Sequence, residues 1–464
     1  MNRIMKTFLS FAVIAGLSVS AFAQDAAKKE TPPPGSAPKA FKVPPRERFT
    51  LPNGMRVSLV QYGNMPKATI SARVRVGGLN EPANEVSVTD FVVELMKEGT
   101  KTRSADQIAA EAASMGGAVE TGAGADQSTV SMDVLSEFAP KAVDLVADVL
   151  LNPVFPEKDF ERIRNDQLRN VSIARSRPQT MANERFRKVL YGDHPYSNIL
   201  PTDAVLKALT LEEVKKYYND NFGAERTDLY VAGKFDSAAV KAAITKAFGS
   251  WKKGPDPVMN PPKLAGKHSL DFIDKAGAPQ STVMIGLPAL DPSNPGYVPM
   301  LVTDALLGGS FGSRITANIR EAKGYTYSPY SQMSVRYRDG YWVETADVTT
   351  ASTGPAIKEI FNEINRIRTE EPTKAELDGI KNYMSGIFVL RNSSRQGLIG
   401  QLAFVDLHGL GDQYLSTYVQ KVYATTPEQV TALSKKYLDP DKMAIVVVGD
   451  PEKAKTQLSD YEAK

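Results

Sequence analysis

Thr210-Leu-Glu-Glu-Val214, followed by Leu229-Tyr-Val-Ala-Gly233, returns 216 residues later as Thr426-Pro-Glu-Gln-Val430, followed by Ile445-Val-Val-Val-Gly449. The offset from Val214 to Val430 equals that from Gly233 to Gly449, so no gap separates the two landmarks. A second echo joins Ile108-Ala-Ala-Glu-Ala-Ala-Ser-Met-Gly-Gly117 to Ile315-Thr-Ala-Asn-Ile-Arg-Glu-Ala-Lys-Gly324. Two echoes in one order mark a duplicated unit, and the different offset of the second implies loops of different length. Within each copy, β-branched runs such as Ala68–Val76 and Ser281–Gly286 read as strands, as do Gln332–Val348 and Asp441–Val448. Helical periodicity marks Ala139–Leu151, Pro156–Ala174, Ala356–Arg368 and Lys374–Leu390. The fold class is therefore α+β: two tandem domains, each a largely antiparallel sheet with helices packed on one face.

Outside the duplication the chain is punctuated by proline. Residues 24–48 hold Pro32-Pro-Pro-Gly-Ser-Ala-Pro38 and Pro44-Pro45 and form a stiff leader without a core of its own. The Asn53-Gly54 pair between apolar stretches predicts a hairpin at the start of the first domain. A second break, residues 254–264, includes Pro255, Pro257, Pro261 and Pro262. It divides an N-terminal domain, 49–253, from a C-terminal one, 265–464. Before all of this, Arg3 and Lys6, the apolar Phe8–Val19 and Ala21-Phe22-Ala23 have the order of a cleavable signal peptide, residues 1–23. The apolar run is shorter than the roughly 20 residues a spanning helix needs, so no membrane anchor is expected after cleavage. With no cysteine in the chain, disulfides, thiolate metal sites and lipoprotein attachment are excluded. Export to a bacterial periplasm is the expectation. Cleavage would take two of 56 basic residues and none of 53 acidic ones, and so near neutral a balance gives no electrostatic case for nucleic acid.

Two further stretches carry chemistry. One is Ile319-Arg320-Glu-Ala-Lys-Gly324-Tyr-Thr-Tyr327-Ser-Pro329; the other is Asp90-Phe-Val-Val93-Glu94-Leu-Met-Lys-Glu-Gly99-Thr100. Together they resemble the pitrilysin/insulinase zinc peptidases, in the bacterial branch similar to the mitochondrial processing peptidases. The resemblance runs from Phe49 to Gly449. It implies a roll-like metallohydrolase domain, present twice and forming half of a clamshell. It also implies that Arg320 and Tyr327 bind the substrate backbone and the transition state. Where that family has an inverted His-x-x-Glu-His helix, this chain has Asp90, Val93 and Glu94. The three histidines, His194, His268 and His408, are far apart, and none has an i,i+4 partner with which to hold a metal from one helical face. With Val93 in place of the general-base glutamate, no side chain there can take a proton from a metal-bound water. A third ligand would fall in the helix around Phe160–Asn170, which reads as degenerate as well. No cofactor or metal is thus expected in this chain.

The resemblance also suggests a role for Gly308, Gly309 and Gly312 as a substrate loop, set against the plainer reading of a helix cap and turn. The expectation that follows is the non-zinc, substrate-binding subunit of a periplasmic heterodimeric metalloendopeptidase. Zinc would be carried by a paralogous partner with an intact motif, and the substrate would be an unfolded peptide. The alternative is a catalytically inactive structural or peptide-binding relative.

Overall fold

Thr210 and Thr426, which open the repeated motif, each cap a helix in the same way. The Thr210 hydroxyl accepts from the Glu213 amide while the Glu213 carboxylate accepts from Thr210 N–H; Thr426 and Gln429 repeat the exchange. Each box satisfies amides that the first helical turn leaves unpaired. The repeated threonine therefore encodes a helix start, and the repeated apolar run after it becomes a strand.

The computed structural model describes residues 41–462. The expected signal peptide and the leader as far as residue 40 lie outside the described residues. Eleven strands are described: β1 Arg46–Thr50, β2 Arg56–Gln61, β3 Lys67–Val74, β4 Val119–Ala123, β5 Ser128–Leu135, β6 Thr227–Gly233, β7 Ser269–Asp274, β8 Gln280–Pro288, β9 Tyr330–Arg336, β10 Asp339–Thr349 and β11 Ala444–Gly449. The first sheet runs β1-β2-β6-β3-β5-β4 and the second β7-β11-β8-β10-β9. Without β1 the two orders are identical when strands are matched in sequence. Each sheet has a single parallel pair, β2 with β6 and β7 with β11. Even the final glycines agree: a Cβ at Gly233 would lie 2.3 Å from the Lys67 carbonyl, and one at Gly449 2.6 Å from Ser281 Oγ.

Local rules explain most boundaries. The hairpin β1–β2 turns at Asn53-Gly54, where Gly54 has φ +92°, the left-handed region that glycine enters without cost. Three residues assigned to the leader, Arg46 to Arg48, belong to β1; their backbone pairs with Ser58–Val60, so the folded chain starts earlier than the proline pattern suggests. The segment read as one strand-rich stretch, 332–348, is the hairpin β9–β10, turned at Tyr337-Arg338 with Arg338 left-handed at φ +53°.

Each sheet carries its own helices on one face. Helices Ala139–Leu151 and Ser237–Phe248 cover the first, and Thr353–Thr369 covers the second. The other face of each sheet is covered by a helix from the opposite half. Helix Pro178–Tyr191 sets Ala182 and Phe186 against Met284, Tyr341, Val343 and Val446 of the second sheet. Helix Arg395–His408 lies across β3 and β6 of the first, where Val60, Tyr230 and Ala232 join the C-terminal core. Burial on both faces is why β6 and β11 read as unbroken apolar runs rather than alternating ones.

The reciprocal cover is fastened at two matching positions, each a threonine–aspartate pair across strands reached from the covering half. Thr69 Oγ1 donates to Asp133 Oδ1 at 2.6 Å, and Arg395 Nη2 grips both oxygens of that carboxylate at 2.9 and 3.0 Å. In the second sheet Thr282 donates to Asp347 at 2.5 Å, and Gln179 Nε2 reaches the same carboxylate at 2.8 Å. Thr69 pairs Asp133 across strands, and Thr282 pairs Asp347. No helix among the described residues is long and apolar enough to cross a membrane.

Phe186 is fully buried, and Gly286 opposite it leaves the space it fills, since a Cβ there would lie 2.7 Å from the ring. Phe186→Ala is expected to lower the unfolding free energy by about 3–5 kcal/mol, the usual cost of emptying a buried phenylalanine site. Urea denaturation of the two proteins measures it, and a loss under about 1 kcal/mol would mean that the cross-half helix contributes little.

Candidate functional site

Arg320 lies on a π-helical turn, Thr316–Ala322, at the place in the C-terminal half where the N-terminal half has helix Ala105–Ser114. The second sequence echo therefore joins true counterparts. Such turns are rare, and they redirect side chains at the point of insertion. Gly324 ends the turn with φ +66°, a conformation that costs other residues roughly 1–2 kcal/mol. Thr326 Oγ1 then donates to the Asp347 carbonyl at 2.7 Å, and Thr349 N–H to the Tyr325 carbonyl at 3.0 Å, which pins the chain to β10. Tyr327 follows at once and projects into solvent, 77% exposed.

The structure brings Arg320 and Tyr327 together. The guanidinium carbon is 4.8 Å from the Tyr327 ring centre and 4.4 Å from that of Phe311, itself 70% exposed. Each such contact at an exposed site contributes about 0.5–1 kcal/mol. Two of them offset a good part of the roughly 2 kcal/mol of rotamer freedom that a fixed arginine gives up. Glu321 Oε1 adds an ion pair at 3.2 Å to Nε. The fork is thus held in place with N–H groups still free to donate to a carbonyl or carboxylate.

Phe311 was not legible as a site residue, for it looked like one apolar residue in a glycine-rich turn. The glycines of that turn have distinct tasks. A Cβ at Gly308 would lie 2.5 Å from Glu344 Oε2, and one at Gly309 2.7 Å from Asp304 Oδ2, whereas Gly312 has open space around it. Gly308 and Gly309 let the chain pass close over two buried carboxyls, and the loop then delivers Phe311 to Arg320. Their amides both donate to the Asp304 carbonyl, at 3.0 and 2.8 Å, in a helix cap.

The other half of the expected constellation lies on helix Val88–Met96. Its start is fixed by the half-buried Glu81, whose carboxylate accepts from Ser87 and Thr89 amides at 2.8 and 3.0 Å. Asp90 is largely buried, and desolvation, aided by nearby Glu94, pushes its pKa up. Glu94 pairs with Lys97 at 2.7 Å, and Val93 is buried. Helix Glu157–Ser176, where a third ligand would fall, packs Phe160 on Phe91 and turns Arg162 to Glu98 at 2.9 Å. No cluster of three or more potential ligand side chains occurs among the described residues. A carboxyl pushed toward its neutral form, a salt-bridged glutamate and a valine do not fit a catalytic zinc. The histidines serve elsewhere: His194 bonds the Asn260 carbonyl at 2.9 Å and caps the turn before Tyr196, and His268 bonds the Tyr461 carbonyl at 3.0 Å. Burial of His408 lowers its pKa to about 4.

Family models place the chain in a class of peptidases. Residues 56–203 match the model described as insulinase (peptidase family M16), and residues 208–384 the one described as peptidase M16 inactive domain. The chain belongs to this insulinase family. An uncharacterized zinc protease of Bacillus subtilis, YmxG, is 24% identical to it, over 85% of this chain and 96% of that protein. In fold it is similar to a peptidase M16 inactive domain from Pseudomonas fluorescens, with a TM-score of 0.81 at 24% identity over 87% of this chain and 98% of the other. A protease from Helicobacter pylori gives a TM-score of 0.80 at 20% identity, over 88% of this chain and all of that one.

The carboxyls beneath the glycine turn are the most perturbed acids near the site. Desolvation pushes Asp304 up to about 6, against hydrogen bonds from Ser331 and Trp342 at 2.6 and 2.8 Å. Glu344 stands well above the usual range through burial and the adjacent Asp304. The Tyr330 amide offers it some relief, yet neither of its oxygens meets a well-formed hydrogen bond. A carboxyl that holds its proton more tightly folded than unfolded favours folding below its unfolded pKa, and that contribution fades as pH rises through the folded value. From pH 4 to above 6 the chain should lose roughly 3 kcal/mol through Asp304. Asp304→Asn keeps an acceptor oxygen but cannot ionise, so its unfolding free energy should fall less over this range. Parallel stability curves from chemical denaturation would contradict this.

Proposed function

We propose that this chain is the substrate-holding, non-zinc subunit of a two-chain peptidase of the insulinase family, exported to the periplasm. The observation that carries the reading is the preorganised pair of half-buried Arg320 and exposed Tyr327, set against a degenerate motif on helix Val88–Met96. The partner would be a paralogue carrying the intact metal motif. In this chain Arg320 would hold carbonyls of an unfolded peptide, and the Tyr327 hydroxyl would donate to the scissile carbonyl oxygen as negative charge develops on it. Donors aimed at developing charge are typically worth about 2.7–4 kcal/mol of barrier. Export rests on the basic, apolar and small-residue order of residues 1–23.

Tyr327→Phe separates chemistry from architecture, because the ring that stacks on Arg320 remains and only the hydroxyl is lost. With the partner present, kcat should drop on the order of 100-fold, while the complex elutes unchanged on size exclusion. Full activity in that variant would refute a shared site, and failure of the chain to co-purify with any zinc-motif paralogue would favour a scaffold instead.

A further inference from the structure

Behind the glycine turn, the C-terminal half holds a cavity of about 350 Å³ to which the Arg320 and Tyr327 reading assigns nothing. It lies between helix Tyr297–Leu307, the edge strand β9 and helix Lys374–Arg391. By the duplication these elements are the counterparts of helix Val88–Met96, edge strand β4 and helix Glu157–Ser176. The cavity is therefore the C-terminal equivalent of the place where the N-terminal half bears its degenerate motif.

Its chemistry is uneven. Of the lining side chains only Asp304 and Arg391 are charged. Asp304 is more than nine-tenths buried; its Oδ1 is taken by Ser331 and Trp342, the Met333 amide lies near the carboxyl, and no well-formed hydrogen bond reaches Oδ2 among the described residues. Gly309 also lines the cavity, and a Cβ there would sit 2.7 Å from Oδ2, so the glycine keeps that oxygen reachable. The rings of Tyr297, Tyr330, Tyr383, Tyr414 and Tyr418 line the same cavity. Burial raises the pKa of Tyr297 and of Tyr330, and the nearby Asp304 charge adds to the rise in both. Arg391 is exposed, so water screens it, whereas the Asp304 charge is felt at short range in a poorly solvated site. A cavity that holds both a buried carboxylate and tyrosine rings suits a cation. The volume is at the lower end of ligand pockets and suits one side chain rather than a cofactor.

We propose that this cavity binds a single basic side chain, lysine or arginine, of a polypeptide, with its cation at Asp304 Oδ2 and its stem among the tyrosine rings. The site would serve a scaffold as well as a peptidase subunit, so its test is independent of turnover. The full chain is titrated by calorimetry with N-acetyl-lysine amide, N-acetyl-arginine amide and the neutral N-acetyl-norleucine amide. At least one basic probe should bind ten times or more tighter than norleucine. Asp304→Asn and Gly309→Ala should each weaken it at least tenfold, one by removing charge and the other by blocking access. Tyr383→Ala, on the half-exposed rim, should weaken it several-fold without touching the core. Arg391→Ala should leave it unchanged or tighter. Equal binding of the neutral probe, no binding of either basic probe, or basic-probe binding that survives in folded Gly309→Ala and Tyr383→Ala would overturn the proposal. Preference for N-acetyl-glutamate amide, lost in Arg391→Ala, would do so too.

Discussion

Both sheets are apolar on two faces, and neither half can cover its own second face. Everything else in the molecule follows from that constraint. A half folded alone would leave Tyr341, Val343 and Val446, or Val60, Tyr230 and Ala232, in water; each large side chain left exposed forfeits roughly 1.5–3 kcal/mol. The solution is an exchange of helices, Pro178–Tyr191 in one direction and Arg395–His408 in the other. The Thr69-Asp133-Arg395 and Thr282-Asp347-Gln179 clusters show that the exchange obeys the symmetry of the duplication. The two fastenings differ in strength. An arginine gripping both carboxylate oxygens is a charge-assisted bidentate contact, and a glutamine amide reaching one oxygen is neither. At this matched position the first sheet has the stronger fastening, while the second adds an Arg185–Asp271 pair elsewhere on its covering helix.

The same exchange fixes what the surface can offer. With both faces of each sheet occupied, chemistry is confined to edges and to the loops beside them. Strands β4 and β9 are the matching edges. In the N-terminal half the helix beside β4 keeps the shape of a site while its side chains turn to structural work: Glu81 caps it, Glu94 pairs with Lys97, and Val93 enters the interior. In the C-terminal half the elements beside β9 keep polar groups that stability does not call for. A buried glutamate without good partners and an arginine stacked between exposed rings both cost more to maintain than apolar substitutes would.

Much of this was legible in the sequence, and the reasons are local. Echoes mark capping boxes and glycines at close approaches, so Thr210, Thr426, Gly233 and Gly449 carry the duplication on their own. Helices such as Ala139–Leu151 and Lys374–Arg391 follow their periodicity to within a residue. The exchanged helices were missed in their role, because what Phe186 and Arg395 touch lies a hundred or more residues away and no spacing rule encodes it. The hairpin turn at Arg338 was hidden as well, since a left-handed arginine gives none of the glycine or asparagine signal that marks such turns. At the site, residues 320 and 327 stood out because their interval around Gly324 resembles the family's motif. Phe311 did not, for its importance arises only when the glycine turn folds back over the π-helical segment.

The two halves have therefore diverged in opposite directions from one plan. With Asp90 pushed toward its neutral form, Glu94 paired to Lys97 and Val93 buried, the N-terminal half has filled this place with ordinary packing. The C-terminal half has not been closed. Tyr327 and Phe311 remain in solvent around Arg320, although burying both rings would be favourable, and Asp304 remains ionisable where a leucine would be cheaper to fold. Exposed aromatic rings and a buried, reachable carboxylate are costs of the same kind, borne within one stretch of chain from residue 304 to 330. A single polypeptide ligand lying along β9 would meet both, its backbone at Arg320 and Tyr327 and one basic side chain at Asp304. That common ligand gives the costs one physical reason.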